Sequence, residues 1–266
     1  MTRPRLIATD LDGTLLRTDK SVSARTREVI EAVVASGIEV VPVTARRVKN
    51  VREIAAAMGV KGPVISGNGA VGFDLATEEL LFTQPMSADT VARAVDVIRG
   101  ALPEVHFALI GPTGEGFCAE PGYADLCDFG DHQMTASDME ISSTVGGDGT
   151  KLVMRHAGHG PAELHALVEG LDLPPCQLTH SGAPFLEITG PGVTKASGLE
   201  RLCARRGITP EEVWAFGDAA NDVPMIRWAA AGHAMANAVD EVKTAADRII
   251  GSNDDDAVAA VLAELL

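Results

Sequence analysis

The chain has 266 residues, 46% hydrophobic but only 4% aromatic, so it can bury one large core or two ordinary ones built mostly from aliphatic side chains. Such a core suits helices packed on a parallel sheet better than an aromatic-rich β-sandwich. The formal net charge of −15 argues against nucleic acids and anionic membranes as partners, because an acidic protein repels phosphate groups.

Cysteine spacing and hydropathy indicate the setting of the protein. The four cysteines show no CxxC spacing, so we expect them to be reduced. The first residues do not resemble a secretory leader, and no uncharged apolar run reaches the roughly 18 residues of a membrane span. We therefore expect a cytoplasmic protein. We also expect a monomer or a small homo-oligomer, although the sequence does not indicate which.

The first predicted element is a buried strand that ends in two carboxylates. The apolar run Leu6–Thr9 is typical of a parallel strand, and the segment 10–14, DLDGT, follows it directly. Because ligands of open α/β sheets bind outside the carboxyl ends of strands, Asp10 and Asp12 can face one small ligand there. The alternative is an ordinary polar turn, which Asp-x-Asp-Gly also favours.

The next elements alternate between helix and strand. Their periodicity and capping residues predict a helix over 23–36, a strand over 38–43 that ends at Thr44, a helix that ends near Met58, and a strand over 63–66. This alternation predicts an α/β fold with a doubly wound, mostly parallel, Rossmann-like core sheet.

A glycine-rich segment follows the third strand. Residues 67–72, GNGAVG, have the G-x-G-x-x-G spacing of dinucleotide-binding loops. That motif must open a helix, whereas residues 73–83 alternate like a β-hairpin. We therefore reject a dinucleotide site at this position.

The pattern changes from about residue 86 and indicates a separate α+β unit. It predicts helices over 88–102 and 161–171, strands over 105–110, 151–156, 176–179 and 184–189, and a loose stretch from 111 to 149. The parallel sheet is not complete before this unit, so we expect an insertion into the first domain. The predicted boundaries are a core domain over 1–84 and 189–266, with the inserted domain over 85–188.

The remaining elements complete the predicted core sheet. They are a helix over 195–206, strands over 213–216, 233–235 and 247–250, a helix over 239–246, and a final helix over 254–266. The acidic run 254–256 is predicted to begin that last helix and to complement its dipole.

Acidic side chains follow two predicted strands. Asp10 and Asp12 follow the first strand, and Asp218, Asn221 and Asp222 follow a later one. If they converge, each pair of carboxylates about 4 Å apart costs on the order of 4 kcal/mol at an effective dielectric constant near 20. A hard divalent cation relieves this repulsion, and oxygen ligands without His or Cys favour Mg²⁺.

Such a site would suit a phosphoryl group. A bound Mg²⁺, the Lys195 ammonium and the Thr44 hydroxyl would neutralise and position its oxygens. One carboxylate could attack phosphorus, and the second could transfer the proton of the leaving group. The alternatives are a solvated Lys195 in the first turn of its helix and a simple capping turn at Asp218 and Asp222.

These residues resemble the motifs of the haloacid dehalogenase (HAD) phosphatase superfamily, in the same order along the chain. The matching residues are Asp10-x-Asp12-Gly13-Thr14, Thr44, Lys195 and Gly217-Asp218-x-x-Asn221-Asp222. The inserted domain resembles the type IIB cap, and the segments 65–70, ISGNGA, and 234–238, AMANA, are similar to the Cof-like subfamily. The resemblance extends over nearly the whole chain.

The resemblance implies a role for each residue. Asp10 would be the nucleophile and a metal ligand, and Asp12 the general acid and base, whose backbone carbonyl also binds the metal. Asp218 would complete the metal ligands, and Asp222 would orient Lys195 or metal-bound water. The phosphate-binding residues would be Thr44, Lys195 and Asn221, with backbone groups of Leu11 and of Ala45, which stands where the family usually has glycine.

The implied function is that of a Mg²⁺-dependent phosphoric monoester hydrolase. Its substrate would be a small phosphorylated metabolite, with sugar phosphates as the leading class. The cap would select the substrate, and its motion would exclude water from the site. Two alternatives stay open, namely a phosphotransferase or phosphosugar mutase of the same fold and a non-catalytic phosphometabolite-binding protein.

Overall fold

The computed structural model describes residues 3–132 and 134–266. The chain forms two compact units, and the second interrupts the first in sequence. The first unit runs to Leu81 and resumes at Thr194, and the second is Phe82–Val193. The domain boundaries predicted after residues 84 and 188 lie a few residues from these limits.

Strands and helices alternate along most of the chain. The strands are β1 Leu6–Thr9, β2 Glu39–Pro42, β3 Pro63–Ser66, β4 Val71–Asp74, β5 Glu79–Thr83, β6 His106–Ile110, β7 Phe117–Ala119, β8 Glu140–Ile141, β9 Lys151–Arg155, β10 Gln177–Thr179, β11 Leu186–Thr189, β12 Val213–Gly217, β13 Ala231–Ala234 and β14 Arg248–Ile249. The helices are α1 Ala24–Ala35, α2 Val48–Met58, α3 Ala88–Ala101, α4 Pro121–Asp125, α5 Phe129–His132, α6 Pro161–Glu169, α7 Lys195–Arg206, α8 Val223–Trp228, α9 Asp240–Ala245 and α10 Ala257–Ala263. Across the described ranges, no helix combines the length and the apolar character that crossing a membrane requires.

The first unit is built on a five-stranded sheet in the order β14-β13-β12-β1-β2, and all its strand pairs are parallel. Every residue of β1 and β12 is buried, which explains why both strands are continuous apolar runs. Thr9 pairs with Phe216, so the segments that follow β1 and β12 leave the sheet side by side. The predicted doubly wound α/β core is confirmed, and its topology places the two acidic motifs at one edge.

The strand β3 differs from its predicted place in the parallel sheet. It pairs antiparallel with β4 in a three-stranded sheet of order β3-β4-β5, and a single parallel bridge, Val43 to Ile65, links it to the end of β2. The hairpin that follows in sequence supplies β3 with a close antiparallel partner. The glycine-rich segment 67–72 leads into strand β4 rather than a helix, so it lacks the context of a dinucleotide loop.

The second unit is a six-stranded sheet in the order β10-β11-β9-β6-β7-β8. One face packs against α3 and α6, where buried residues of these helices meet those of β6, β9 and β11 in one cluster. The prediction that residues 111–149 lack regular structure is wrong, because β7, α4, α5 and β8 lie there. These elements are two to five residues long, too short to show a periodic pattern in the sequence.

The acidic run 254–256 lies at the start of the last helical stretch as predicted, with Asp256 as the N-cap residue of α10, but the Asp256 side chain makes no capping hydrogen bond. Helix α10 starts at Ala257, and the carboxylates of the run bind a segment near the N-terminus instead. Asp254 accepts hydrogen bonds from the Thr18 N–H and hydroxyl, both at 2.8 Å. Asp256 accepts two from the Arg17 guanidinium, at 3.1 and 2.8 Å. The run therefore anchors the chain shortly after the first acidic motif.

Candidate active site

The ends of β1 and β12 bring Asp10 and Asp218 together. The Asp10 N–H donates to the Phe216 carbonyl at 3.0 Å, so the two chains stay paired up to the first carboxylate. Gly13 has a φ of +79°, and an added Cβ would lie 2.4 Å from Asp218 Oδ2. The Thr14 hydroxyl donates to Asp218 Oδ1 at 2.6 Å. The turn after Asp12 therefore needs glycine because it passes against Asp218.

Three carboxylates form an acidic cluster at this edge. One oxygen each of Asp10, Asp218 and Asp222 lies within 4.8 Å of the others, and no other such group of potential metal ligands occurs in the part of the chain that the structure describes. Burial, with the neighbouring carboxylates adding to it, raises the pKa of Asp10 well above its usual value. Burial and the charge of Asp222 raise the pKa of Asp218 to about 6. A cluster of this kind favours a bound cation.

Lys195 supplies one positive charge to the cluster. It is 1% exposed, and its ammonium donates to Asp10 Oδ1 and Asp222 Oδ1, both at 2.6 Å. Burial lowers the pKa of Lys195, but the two carboxylates outweigh it and raise the pKa above its ordinary value. The lysine opens α7, where the helix dipole disfavours a cation, so the carboxylates hold it in place. The alternative of a solvated Lys195 is excluded.

Asp222 uses both carboxylate oxygens to bind protein donors. Oδ1 accepts from Lys195, and Oδ2 accepts from the N–H groups of Asp218 and Ala219, each at 3.0 Å. The carboxylate thus caps its own loop and also contacts the lysine, so the two interpretations of Asp222 are compatible, and its functional role stays a prediction. Because both oxygens of Asp222 already accept hydrogen bonds, Asp10 and Asp218 are the carboxylates of the cluster that could bind a metal.

The Asp12 side chain pairs with two basic residues. Its carboxylate accepts from Arg46 Nε and Nη2 at 2.5 and 2.6 Å and from Lys20 at 2.9 Å. Burial raises the pKa of Asp12, but Arg46 and Lys20 outweigh it and lower the pKa below its ordinary value. Sequence reasoning missed both residues. The position of Arg46, two residues after Thr44, was the one available signal.

The predicted phosphate-binding residues all belong to the first unit. Thr44 is 1% exposed, and its hydroxyl accepts from the Arg46 N–H at 3.2 Å. Asn221 is 8% exposed, and its Nδ2 donates at 3.0 Å to Oδ1 of Asn68, a residue that sequence reasoning used only as part of a subfamily pattern. Leu11 is fully buried beside Asp10, and Ala45 follows Thr44 in the chain. The phosphate contacts predicted for their backbone groups stay predictions.

Comparison with known proteins identifies the family. The chain matches the haloacid dehalogenase-like hydrolase profile over residues 7–262. It is 27% identical over 268 residues to the 5-amino-6-(5-phospho-D-ribitylamino)uracil phosphatase YitU of Bacillus subtilis (strain 168), covering 99% of this chain and 98% of the relative. It is 26% identical over 261 residues to the phosphoglycolate phosphatase of Methanopyrus kandleri, covering 98% and 97% of the two chains.

Solved structures agree in fold. The HAD subclass IIB sugar phosphatase BT4131 is 23% identical and superposes with a TM-score of 0.82, covering 100% of each chain. The resemblance to HAD phosphatases with a type IIB cap is therefore confirmed, and relatives over the whole chain are named phosphatases, so the protein is a phosphatase of the hydrolase class. Because the profile match runs through both units of the fold, this chain belongs to the haloacid dehalogenase-like hydrolase family.

Proposed function

We propose that this protein is a Mg²⁺-dependent phosphatase that hydrolyses a small phosphorylated metabolite, a sugar phosphate, through an aspartyl-phosphate on Asp10. The observation that carries the proposal is the position of Asp10, buried at the end of β1, bonded to Lys195 and within an acidic cluster. A carboxylate in this setting can attack a phosphoryl group that is held in line with it.

The donor set fits Mg²⁺. The carboxylates of Asp10 and Asp218 and the backbone carbonyl of Asp12 would hold the ion, and all are hard oxygen ligands. Asn221 Oδ1 is a further buried oxygen, and it has no hydrogen-bond partner among the described residues. When bound, Mg²⁺ supplies neutralisation of the phosphoryl oxygens as charge develops on them.

The reaction proceeds in two steps. In the first, an Asp10 oxygen attacks phosphorus, the ester P–O bond breaks, and Asp12 donates a proton to the leaving oxygen. In the second, water attacks phosphorus, Asp12 accepts a proton of that water, and the P–O bond to Asp10 breaks to release inorganic phosphate. Pairing with Arg46 lowers the pKa of Asp12 and so favours the carboxylate form that accepts a proton in the second step. To act as the acid in the first step, the Asp12 carboxylate must leave Arg46 and take up a proton from solvent, which it then donates to the leaving oxygen.

The substrate class is proposed from the relatives. One is named for a phosphoribityl compound, another for phosphoglycolate, and a solved neighbour for sugar phosphates. All three names describe phosphorylated small molecules, which supports a metabolite rather than a macromolecule. A phosphate-release screen over a broad panel of phosphometabolites with Mg²⁺ tests the proposal. Strongest release from a sugar phosphate is expected, and no release from any compound would instead favour the non-catalytic binding protein.

Adding Mg²⁺ to metal-free protein is expected to raise the melting temperature by about 5 °C or more at saturation, since a ligand that binds only the folded state stabilises it.

This rise in melting temperature should depend on pH, because the pKa of Asp218 is about 6. A carboxyl whose pKa is raised on folding favours the folded state at low pH, and this contribution is lost as the pH rises through that value. The rise in melting temperature caused by Mg²⁺ should therefore be larger at about pH 7.5 than at about pH 5, because protons compete with the ion for the carboxylates.

Differential scanning fluorimetry with and without chelator measures this effect. The matched control is Asp218→Asn, which relieves repulsion in the cluster but removes a proposed ligand, so it should melt without responding to Mg²⁺. An equal response of the variant and the parent protein would place the ion elsewhere.

Hydrolysis in ¹⁸O-labelled water separates a phosphatase from a phosphotransferase or mutase. We expect the released phosphate to carry one labelled oxygen, because water attacks phosphorus in the second step. Mass spectrometry of the phosphate provides the measurement. If phosphorylated sugar without label accumulated in place of labelled phosphate, a sugar hydroxyl would be the acceptor and the hydrolase proposal would be wrong.

A further inference from the structure

The turn between β3 and β4 has an unusual backbone. Gly67, Asn68 and Gly69 have φ angles of +59°, +59° and +101°, so three successive residues lie in the left-handed region. Glycine adopts this region without steric cost, whereas Asn68 carries a side chain there and is only 2% exposed. The side chain of Asn68 is therefore the feature of this turn whose role needs an explanation.

The same turn contacts the segments that carry three of the phosphate-binding residues. The Asn68 N–H donates to the Thr44 carbonyl at 3.0 Å, and Asn221 Nδ2 donates to Asn68 Oδ1 at 3.0 Å. A Cβ on Gly69 would lie 2.0 Å from the carbonyl oxygen of Thr194, the residue before Lys195. All these contacts lie within the first unit, between segments far apart in sequence.

The contact with Asn68 selects one orientation of the Asn221 amide. A side-chain amide has a donor end and an acceptor end, and here the donor end faces Asn68 while the buried Oδ1 meets no partner among the described residues. A buried amide oxygen without a donor is costly, so it favours a ligand that provides one, such as the P–OH group of protonated inorganic phosphate or a water molecule of a hydrated ion. Without Asn68, the amide of Asn221 would lose this constraint.

We infer that Asn68 is a positioning residue of the phosphate site. It fixes the Asn221 amide through its side chain, and its turn braces the segments that present Thr44 and Lys195. The inference rests on the proposed phosphatase function and goes beyond it, because Asn68 acts through Asn221 rather than on the substrate.

The test uses Asn68→Gly, which keeps the left-handed turn accessible and removes the side chain that accepts from Asn221. We expect kcat/KM to fall about 3- to 10-fold, the range of one hydrogen bond, and the inhibition constant of inorganic phosphate to rise by a similar factor. Asn68→Ala deletes the same acceptor while keeping Cβ, so either variant provides the measurement if the other fails to fold. The control is Glu78→Gly, an exposed position with the same φ of +59°, which should stay within about twofold of the parent protein.

A double-mutant cycle with Asn221→Ala distinguishes positioning from a general structural effect. If Asn68 acts through Asn221, adding Asn68→Gly to Asn221→Ala should change the phosphate inhibition constant little further. Independent, multiplying effects, or an unchanged inhibition constant in Asn68→Gly, would overturn the inference.

Failure of the proposed function would be recognised separately. If the parent protein released phosphate from no substrate, inorganic phosphate would be titrated into it with MgCl₂ in a calorimeter. Weaker phosphate binding by Asn68→Gly than by the parent would then still support positioning. Equal binding by the two proteins, or no binding by the parent, would reject it.

Discussion

Replacement of Asp10 by Asn is expected to reduce phosphate release by about 10³-fold or more, the scale seen when a catalytic nucleophile is removed. The amide keeps the size of the carboxylate but cannot attack phosphorus. The protein should stay folded, since the change removes one charge from a cluster in which burial raises the pKa of Asp10. Steady-state kinetics on the best substrate of the panel, with circular dichroism to compare the folds, measures both effects.

Asp240→Asn serves as the control for this substitution. Asp240 is exposed in the first turn of α9, so the same chemical change there should leave turnover unaltered. Activity of Asp10→Asn near that of the control would refute Asp10 as the nucleophile. Another residue would then have to attack the phosphoryl group.

Lys195→Met is expected to lower the free energy of unfolding by about 3–5 kcal/mol, because it leaves buried carboxylates without their cation. Lys195 is 1% exposed and lies between Asp10 and Asp222 at 2.6 Å from each. Loss of the ammonium should raise the pKa of Asp10 further. The loss in free energy of unfolding should therefore be greatest at neutral pH, and it should shrink as the pH falls because the Asp10 carboxyl then takes up a proton. Urea denaturation of metal-free protein across this pH range measures the effect.

The background of Asp10→Asn provides the internal check on this prediction. With one of the two carboxylates already neutral, Lys195→Met should destabilise the protein less than it does in the parent. The same loss of stability in both backgrounds would mean that packing around the lysine stem, rather than charge pairing, accounts for the effect.

Much of the fold could be predicted because its signals are local. Strand β3 and helix α7 have the predicted bounds, since proline, glycine and capping residues mark their ends in the sequence. The elements of residues 111–149 were missed, because strands and helices of two to five residues derive their stability from tertiary contacts and leave no periodic pattern. The pairing of β3 was also set by a neighbour, the hairpin strand β4.

The candidate site likewise contains residues that could be predicted from the sequence and residues that could not. Asp10, Asp218 and Lys195 could be brought together from sequence, because parallel strands end at one edge and the motifs stand at strand and helix ends. Arg46 and Asn68 were not identified as site residues, since each acts on a side chain far along the chain and that pairing is not visible in the sequence.

The sequence by itself determined the doubly wound sheet, the inserted unit and the residue types that can bind a phosphoryl group, because these depend on periodicity, end signals and spacing. Only the tertiary structure decided which hydrogen-bond partner each of these side chains has. It pairs Asp12 with Arg46 and Lys20, Asp222 with Lys195 and its own loop, and Asn221 with Asn68. Such choices depend on side-chain directions and distances between remote segments, which exist only once the backbone has folded.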